Sequence, residues 1–442
     1  MRQSLLIPGA GELNYEIRGI VKKARMLEEM GYPITWENIG DPIQKSNKVP
    51  DWMKAIVSDL VGKDQSYGYC DSKGVLETRQ FLADINNKKA GAKITADDIL
   101  FFNGLGDAIA KFYQFLTPTA RIIGPSPAYS THSSAEAAHA NTSPITYRMD
   151  PDNNWYPDME ELYNKVKYNP GIVGILIINP DNPTGMVYPY EVLEKFVSIA
   201  EEFDLLLIAD EIYQNITYNG FESIALSDVI GDRPAISMKG ISKEFPWPGS
   251  RCGWMEFYNK KSSLEFSKLC TTLENAKMIE VCATILPQLA IPKIMSHPAY
   301  ASYRKEANER IGKRSRIMEE VLKDVTGIKF NKTKGAFYNT IIFDENLLNA
   351  DQYLPVEDPR VQTLLDQWLE VGMPHDKRFV YNLLAAERIC VVPVSSFCSD
   401  LRGFRVTLLE ENEDIFRETF EILAKSIQYY LKSSRKGYAV PL

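Results

Sequence analysis

Apolar and polar residues along the chain form blocks that predict alternating helices and strands. Near the N-terminus, apolar residues recur at the spacing of one helix face: Ile17, Ile20, Val21, Ala24, Leu27 and Met30. Gly31 follows the last of them and can end the helix, since glycine readily adopts the left-handed conformation found at helix ends. This segment is therefore predicted to be an amphipathic helix.

The middle of the chain predicts a strand, a helix and a second strand in succession. Residues 174–178 are a short apolar run followed by Asn179 and Pro180, which indicates a strand buried on both faces. An amphipathic helix is predicted from apolar residues at helical spacing: Val192, Leu193, Phe196, Val197, Ala200 and Phe203. Residues 205–209 form the second buried run. A unit of this kind places its two strands parallel in one sheet.

The C-terminal third differs in composition. Residues 297–325 are highly charged and predict one long helix that connects two domains. Residues 335–343 and 389–392 predict strands of a smaller α+β domain. Between them, residues 349–378 are polar and contain three prolines, so we expect an insertion or a lid rather than part of the core. The predicted fold is α/β, with a large, mainly parallel sheet flanked by helices and a smaller α+β domain.

Composition narrows the classes of protein that remain. The 442 residues exceed what one hydrophobic core usually serves, so two domains are expected. A net charge of −8 offers no basic surface for nucleic acid or anionic lipid. The sequence shows neither a signal-peptide pattern nor an apolar run long enough to span a bilayer. Six cysteines and four histidines lack the spacing of a disulfide framework or a zinc site. We expect a soluble, cytoplasmic protein without a bound metal.

Polar residues directly follow three of the predicted strands. Residues 179–185 follow the first strand, and Asp210 and Tyr213 follow the second. Ser242 and Lys243 follow the strand-like run 235–238. In open parallel sheets, ligands bind outside the carboxyl ends of the strands. A lysine, a carboxylate, a tyrosine and an amide are therefore predicted to converge at one edge of the sheet.

This set of side chains matches the needs of pyridoxal 5′-phosphate. The cofactor requires an amine for a Schiff base, an acid for its pyridinium nitrogen and donors for its phenolate oxygen. Lys243 would supply the amine, Asp210 the acid, and Asn182 and Tyr213 the donors. Each residue alone has a simpler interpretation as a surface lysine, a helix cap or a turn residue. Their joint occurrence in this order favours the cofactor.

Two further segments suit the phosphate of this cofactor. The turn after the strand-like residues 99–102 contains Gly104, Leu105 and Gly106. A glycine turn that opens a helix can cradle a phosphate with its backbone. Arg251 lies eight residues after Lys243, and Pro246 and Pro248 exclude a helix between them. The segment must therefore loop, which can bring the guanidinium onto the phosphate.

The motifs together resemble the class I/II aminotransferases of the fold-type I pyridoxal-phosphate superfamily. They are Gly40-Asp41-Pro42, Asn182-Pro183-Thr184-Gly185, Asp210 with Tyr213, Ser242-Lys243, and Gly249-x-Arg251-x-Gly253. The resemblance implies pyridoxal phosphate as cofactor, with Ser242 and the turn at residues 104–106 contacting it. It also implies a large domain at residues 46–295 and a small domain formed by residues 1–45 and 296–442.

Within this family, residues 15–19, 68–74 and 251–255 are most similar to the prokaryotic alanine (glutamate–pyruvate) aminotransferases. The resemblance implies that Tyr129 stacks on the cofactor ring. It also implies a homodimer with shared active sites, in which Tyr69 reaches the phosphate bound by the partner subunit.

The resemblance assigns four further residues to the substrate. Arg405 would pair with the substrate α-carboxylate as a planar fork, and the backbone of Gly40 would lie against the substrate. Tyr15 and Arg18 would close over the side-chain end, where Arg18 suits the distal carboxylate of glutamate. Arg18 is equally compatible with a solvated position on its helix.

The predicted reaction moves an amino group between an L-amino acid, with alanine and glutamate favoured, and a 2-oxo acid by ping-pong kinetics. Lys243 would act as general base and acid. The alternatives are an aromatic or aspartate donor, or another fold-type I reaction such as that of a carbon–sulfur lyase or a decarboxylase. The third alternative is the non-catalytic ligand-sensing module of a transcription regulator. Such a module needs an attached DNA-binding domain, but residues before about 15 contain no basic recognition helix.

Overall fold

A computed structural model describes residues 5–13 and 17–433 of the chain. Its helices are α1 (Ile17–Glu29), α2 (Asp51–Val61), α3 (Leu76–Asn87), α4 (Leu105–Gln114), α5 (Ser130–Ala140), α6 (Met159–Tyr168), α7 (Tyr190–Glu202), α8 (Leu264–Ile279), α9 (Ile285–Met295), α10 (Tyr300–Leu322), α11 (Pro359–Trp368), α12 (His375–Glu387) and α13 (Glu413–Lys432). Its strands are β1 (Thr35–Trp36), β2 (Ile99–Phe102), β3 (Arg121–Ser126), β4 (Thr146–Asp150), β5 (Tyr156–Pro157), β6 (Ile172–Ile178), β7 (Leu206–Asp210), β8 (Ala235–Gly240), β9 (Gly253–Tyr258), β10 (Ile328–Lys329), β11 (Tyr338–Phe343), β12 (Ile389–Cys390), β13 (Val392–Pro393) and β14 (Gly403–Thr407).

Within the described residues, eight strands form one mixed sheet in the order β2-β9-β8-β7-β6-β3-β4-β5. The neighbours β8, β7, β6, β3 and β4 are parallel, whereas β9 is antiparallel to both β2 and β8. The predicted strand–helix–strand unit is β6, α7 and β7, and its strands pair in parallel from Gly174–Leu206 to Ile178–Asp210. The α/β fold with a large, mainly parallel sheet is thus confirmed.

A second core surrounds a smaller sheet in the order β10-β11-β14-β13. β11 and β14 pair antiparallel from Tyr338–Thr407 to Ile342–Gly403. The N-terminal helix α1 buries Ile20, Ala24 and Leu27 in this core, as their helical spacing predicted. The predicted division of the chain at residues 46 and 295 stays a prediction.

The expectation that residues 349–378 form an insertion or lid outside the core is wrong. Helix α11 lies in this segment and buries Val361, Leu365 and Trp368 in the second core. Its prolines precede or begin helices rather than interrupt them, since Pro359 is the first residue of α11 and Pro374 immediately precedes α12. None of the residues lining the cavity at the carboxyl ends of β6, β7 and β8 comes from this segment.

Two predicted strands are shorter than expected. β11 begins at Tyr338 rather than at residue 335, because Ala336 adopts a left-handed conformation with φ of 53°. The run 389–392 is divided into β12 and β13, which pair with different partners. The long helix predicted over residues 297–325 is present as α10. Among the described helices, none combines the length and apolar character required to cross a bilayer.

Candidate active site

A cavity of about 340 Å³ lies beside the carboxyl ends of β6, β7 and β8. The predicted site residues that line it are Gly40, Leu105, Gly106, Tyr129, Asn182, Asp210, Tyr213, Ser242, Lys243, Arg251 and Arg405. Those that follow strands of the large sheet meet because these strands end at the same sheet edge, whereas Gly40 and Arg405 come from the second core.

Lys243 lies in the turn after β8, and its side chain reaches into this cavity. Its Nζ donates a hydrogen bond to the carbonyl oxygen of Gly40 at 2.7 Å. A Cβ atom at Gly40 would lie 1.9 Å from the Tyr338 hydroxyl, so a larger residue there would have to displace the Tyr338 side chain. The lysine amine is therefore held against the wall that contains Gly40.

Asp210 ends β7 and is 3% exposed. Its Oδ1 accepts a hydrogen bond from the backbone amide of Ile212 at 3.1 Å, and its Oδ2 lies 3.0 Å from Nε2 of His132. His132 lies in the first turn of α5, and its ring makes an edge contact with that of Tyr129. These contacts fix the carboxylate at the cavity wall. Sequence reasoning missed His132.

Arg405 projects from β14 into the same cavity and is 4% exposed. Nη1 donates to Oδ1 of Asn182 at 3.1 Å, and Nη2 donates to the carbonyl oxygen of Asn38 at 2.8 Å. The guanidinium stacks on the ring of Tyr338, 4.3 Å from its centroid. Its buried Nε has no hydrogen-bond partner. A carboxylate from a ligand would satisfy this group.

Tyr213 presents a hydroxyl that stays protonated at physiological pH. It is buried, and its hydroxyl donates to that of Tyr338 at 3.2 Å. Burial, followed by the proximity of Tyr338, raises the pKa of Tyr213 well above its usual range. Tyr338 also lines the cavity, yet the sequence offered no motif that singled it out.

The turn at Gly104 and the Arg251 side chain lie against each other in an arrangement that would suit an anion, and we call this pair the anion site. Gly104 caps the N-terminus of α4 with φ of 85°. A Cβ atom at Gly104 would lie 2.7 Å from Nη2 of Arg251, so the guanidinium lies against the helix N-terminus. Backbone N–H groups at a helix start and a nearby guanidinium both favour a phosphate. Leu105 and Gly106 in the first turn line the cavity.

Glu244 anchors the segment that carries Lys243 to helix α10. Its carboxylate accepts hydrogen bonds from the Tyr300 hydroxyl and from Nδ2 of Asn215, the latter at 2.8 Å. Its carbonyl oxygen accepts one from the Tyr303 hydroxyl at 3.1 Å. The backbone next to Lys243 is thus fixed by contacts made outside the cavity.

Asp181 is a second buried carboxyl in the motif after β6. It is fully buried, and its Oδ2 accepts from the backbone amide of Thr184 at 3.0 Å and from the Thr184 hydroxyl. Burial raises the pKa of Asp181 to about 7, although the hydrogen bonds from Thr184 oppose this shift. The motif itself gave no indication of this titration.

Three predicted residues of the described chain, Gly104, Tyr69 and Arg18, do not line the cavity. Tyr69 is 85% exposed on the surface of the chain, and Arg18 is exposed in the first turn of α1. Tyr15 lies outside the described residues. Across residues 5–13 and 17–433, no group of three or more His, Cys, Asp or Glu side chains could hold a metal ion.

The residues present fit pyridoxal phosphate. The anion site at Gly104 and Arg251 suits the phosphate, and the buried carboxylate of Asp210 suits a protonated ring nitrogen. The amine of Lys243 lines the same cavity, and the orphaned Nε of Arg405 suits a substrate carboxylate.

Comparison with known sequences gives the same picture. The family model described as aminotransferase class I and II matches residues 36–415. An uncharacterized aminotransferase of Methanocaldococcus jannaschii is 52% identical over 433 residues, which is 98% of this chain and 100% of that protein. The glutamate-pyruvate aminotransferase AlaA of Escherichia coli is 30% identical over 396 residues, which is 88% of this chain and 96% of AlaA.

A solved structure is similar over nearly the whole length. The structure of an alanine aminotransferase from Pyrococcus furiosus matches with a TM-score of 0.82 and 27% sequence identity. The match covers 96% of this chain and 100% of that chain.

Proposed function

The chain belongs to the class I and II aminotransferases, and we propose that it transfers the amino group between alanine or glutamate and a 2-oxo acid. Enzymes of this family depend on pyridoxal phosphate. The observation that carries the proposal is the convergence of Lys243, Asp210 and Arg405 on one cavity, where Nε of Arg405 lacks a partner.

We place the cofactor in this cavity. The backbone of Gly104, Leu105 and Gly106, Ser242 and the guanidinium of Arg251 would hold the phosphate, and Asp210 would keep the ring nitrogen protonated. The Tyr213 hydroxyl and Nδ2 of Asn182 would donate to the phenolate oxygen, and the Tyr129 ring would stack on the cofactor ring. His132 would orient the Asp210 carboxylate through the contact between its Nε2 and Oδ2 of Asp210.

The remaining residues act on the amino acid. When bound, the cofactor supplies an electron sink for the charge that develops at the α-carbon. Arg405 would bind the α-carboxylate through its planar fork and so retain it, which disfavours decarboxylation. The amine of Lys243 would take the proton from the α-carbon and, as general acid, would deliver it to the cofactor carbon. Gly40 would lie against the substrate.

Support for alanine and glutamate comes from two relatives. AlaA is named a glutamate-pyruvate aminotransferase, and the Pyrococcus furiosus structure is that of an alanine aminotransferase. For glutamate, we propose that Tyr15 and Arg18 contact the distal carboxylate after closure of the N-terminal segment over the cavity. An aromatic or aspartate donor is the alternative.

We further propose a homodimer in the cytoplasm. Exposed apolar side chains occur in two neighbouring segments, with Tyr67 and Tyr69 in one and Ile279 in the other. Cys70 follows Tyr69, and burial together with the proximity of the Cys282 thiol raises the pKa of Cys70 to about 12, so the two segments are neighbours. A second copy would cover this surface and receive Tyr69 at its phosphate. Free cysteines suit a reducing compartment.

The proposed function is tested by a single half-reaction. The purified protein is loaded with pyridoxal phosphate and mixed with one amino acid at a time, without any 2-oxo acid. We expect alanine and glutamate each to convert the cofactor stoichiometrically and to release one equivalent of pyruvate or 2-oxoglutarate.

The other outcomes contradict defined parts of the proposal. Conversion by aromatic amino acids or aspartate instead would overturn the assignment of alanine and glutamate as substrates, but the protein would still be a transaminase. Catalytic release of pyruvate and ammonia without conversion of the cofactor would show that the reaction is that of a lyase and not of a transaminase.

A further inference from the structure

Residues 38–44 form a loop whose two ends are joined by a buried ion pair. Glu37 precedes this loop and is 1% exposed, and Lys45 follows it and is 6% exposed. Nζ of Lys45 lies 2.8 Å from Oε1 of Glu37. Charged side chains are almost never buried to this extent unless they are paired.

The ion pair is itself fixed to the strands of the second core. Oε2 of Glu37 accepts a hydrogen bond from the Thr407 hydroxyl at 2.9 Å, and the Glu37 backbone amide donates to the carbonyl oxygen of Cys390 at 2.9 Å. Oε2 of Glu410 lies 3.6 Å from the Lys45 ammonium. Both ends of the loop are therefore tied to β14, to the segment after it and to β12.

The loop supplies one wall of the cavity. Ile39, Gly40 and Asp41 line it. The carbonyl oxygen of Asn38 accepts the hydrogen bond from Arg405, and that of Gly40 accepts the one from Lys243. Two carbonyl groups of the loop thus contact the side chains that would bind and deprotonate the substrate.

We propose that the Glu37–Lys45 ion pair is a positioning element that holds residues 38–44 against the substrate and thereby sets substrate affinity. The proposal rests on the proposed function, because it assigns the wall to the amino acid. The ion pair touches neither the anion site at Arg251 nor Asp210, and the loop contacts Lys243 only through the Gly40 carbonyl oxygen, so removal of the pair should change cofactor affinity much less than substrate affinity.

The ion pair acts on the conformational entropy of the loop through electrostatic attraction. A loop with free ends samples many conformations, and the pair removes this freedom before the substrate arrives. Inside the protein the attraction is little screened by water or salt. Removal of one partner leaves an uncompensated buried charge, whereas removal of both leaves a neutral site that lacks the fixed separation.

The test compares two variants with a matched control. Lys45→Met removes one charge. The double variant Glu37→Gln/Lys45→Met removes both charges and leaves no unpaired one, so it provides the test if the single variant fails to fold. Lys48→Met removes an exposed cation of the same segment. The measurements are KM and kcat for the amino donor, cofactor affinity, and hydrogen exchange of the amides in residues 38–44.

We expect both variants to raise KM about tenfold with kcat within about threefold, the signature of lost uniform binding. Exchange in residues 38–44 should accelerate about tenfold, cofactor affinity should stay within about twofold, and Lys48→Met should match the wild type.

A folded double variant with unchanged KM and unchanged exchange would overturn the proposal. A wild-type protein that transfers no amino group would contradict the proposed function instead, and the exchange measurement would still decide whether the ion pair holds the loop.

Discussion

Replacing Lys243 by alanine is expected to abolish amino transfer and to leave the fold intact. The side chain makes one hydrogen bond, to the carbonyl oxygen of Gly40, so the free energy of unfolding should fall by about 1 kcal/mol or less. Loss of the general base should lower kcat by at least about 10²-fold. Activity and thermal unfolding of Lys243→Ala are compared with those of Lys305→Ala, an exposed lysine of α10. Substantial turnover by Lys243→Ala would assign the proton transfer to another group.

Asp181 should make the protein less stable as the pH rises from about 4 to about 7. Its pKa is raised from 3.8 to about 7 in the folded chain, so in this window the unfolded chain loses a proton that the folded chain retains. The free energy of unfolding then falls by up to about 1.4 kcal/mol per pH unit. Below this window both states are protonated, and above it the full penalty applies.

The variant Asp181→Asn isolates this contribution, because its amide oxygen can still accept hydrogen bonds from Thr184. Urea unfolding between pH 5 and 8 should show the variant gaining stability over the wild type with rising pH, and the gain should level off above pH 7. Asp400→Asn, at an exposed position, should show no such trend. A constant difference between Asp181→Asn and the wild type would rule the titration out.

Which site residues the sequence could predict follows from where they lie. Asn182, Asp210, Tyr213 and Lys243 directly follow strands, so the rule that parallel strands end at one edge was enough to bring them together. His132, which contacts Asp210, lies 78 residues away from it in the sequence, and only the packing of α5 brings the two side chains together. The same holds for the Tyr213–Tyr338 contact, which joins two domains of the predicted division.

Among the elements, α11 shows why a pattern can mislead. The strands β6 and β7 were predictable because uninterrupted apolar runs bounded by turn residues leave few alternatives. In α11 the buried residues Val361, Leu365 and Trp368 are spaced by four and three positions, which is helical, but prolines and polar residues around them favoured a loop. Pro359 in fact begins the helix, where its missing N–H costs nothing.

A core role for α11 predicts how its substitutions behave. Leu365→Ala removes a fully buried side chain and should lower the free energy of unfolding by about 2–5 kcal/mol. Gln367→Ala, on the exposed face of the same helix, should change it by about 0.5 kcal/mol or less. Because no residue of this segment lines the cavity, kcat and KM of both variants should equal those of the wild type. A changed KM with unchanged stability would restore the lid interpretation.

At the scale of the whole molecule, the cavity lies where the large sheet meets the second core. Lys243, Asp210 and Arg251 belong to the residues predicted for the large domain, whereas Arg405 and Gly40 belong to those predicted for the small domain. The sequence indicated both groups, but their separation depends on the packing of the two cores and on the ion pair at Glu37. Neither is encoded in a local pattern.

The proposed homodimer makes a prediction that a single chain cannot fulfil. Tyr69 is exposed and does not line the cavity of its own chain, so its proposed contact with phosphate must be made in the partner. Tyr69→Ala alone should therefore weaken cofactor binding and lower activity, and Lys243→Ala alone should be inactive. In a hybrid of these two subunits, one active site contains both an intact Lys243 and an intact Tyr69, and the other contains neither.

The two variants are mixed in equal amounts and allowed to exchange subunits, so that half of the dimers become hybrids. Because one of the two sites in each hybrid is complete, the mixture should recover about a quarter of wild-type activity. Light scattering before and after mixing establishes that the particles are dimers. If Tyr69 acted within its own chain, the hybrid would gain nothing, and the mixture would show half of the activity of Tyr69→Ala. The recovered activity therefore distinguishes a shared active site from two independent ones.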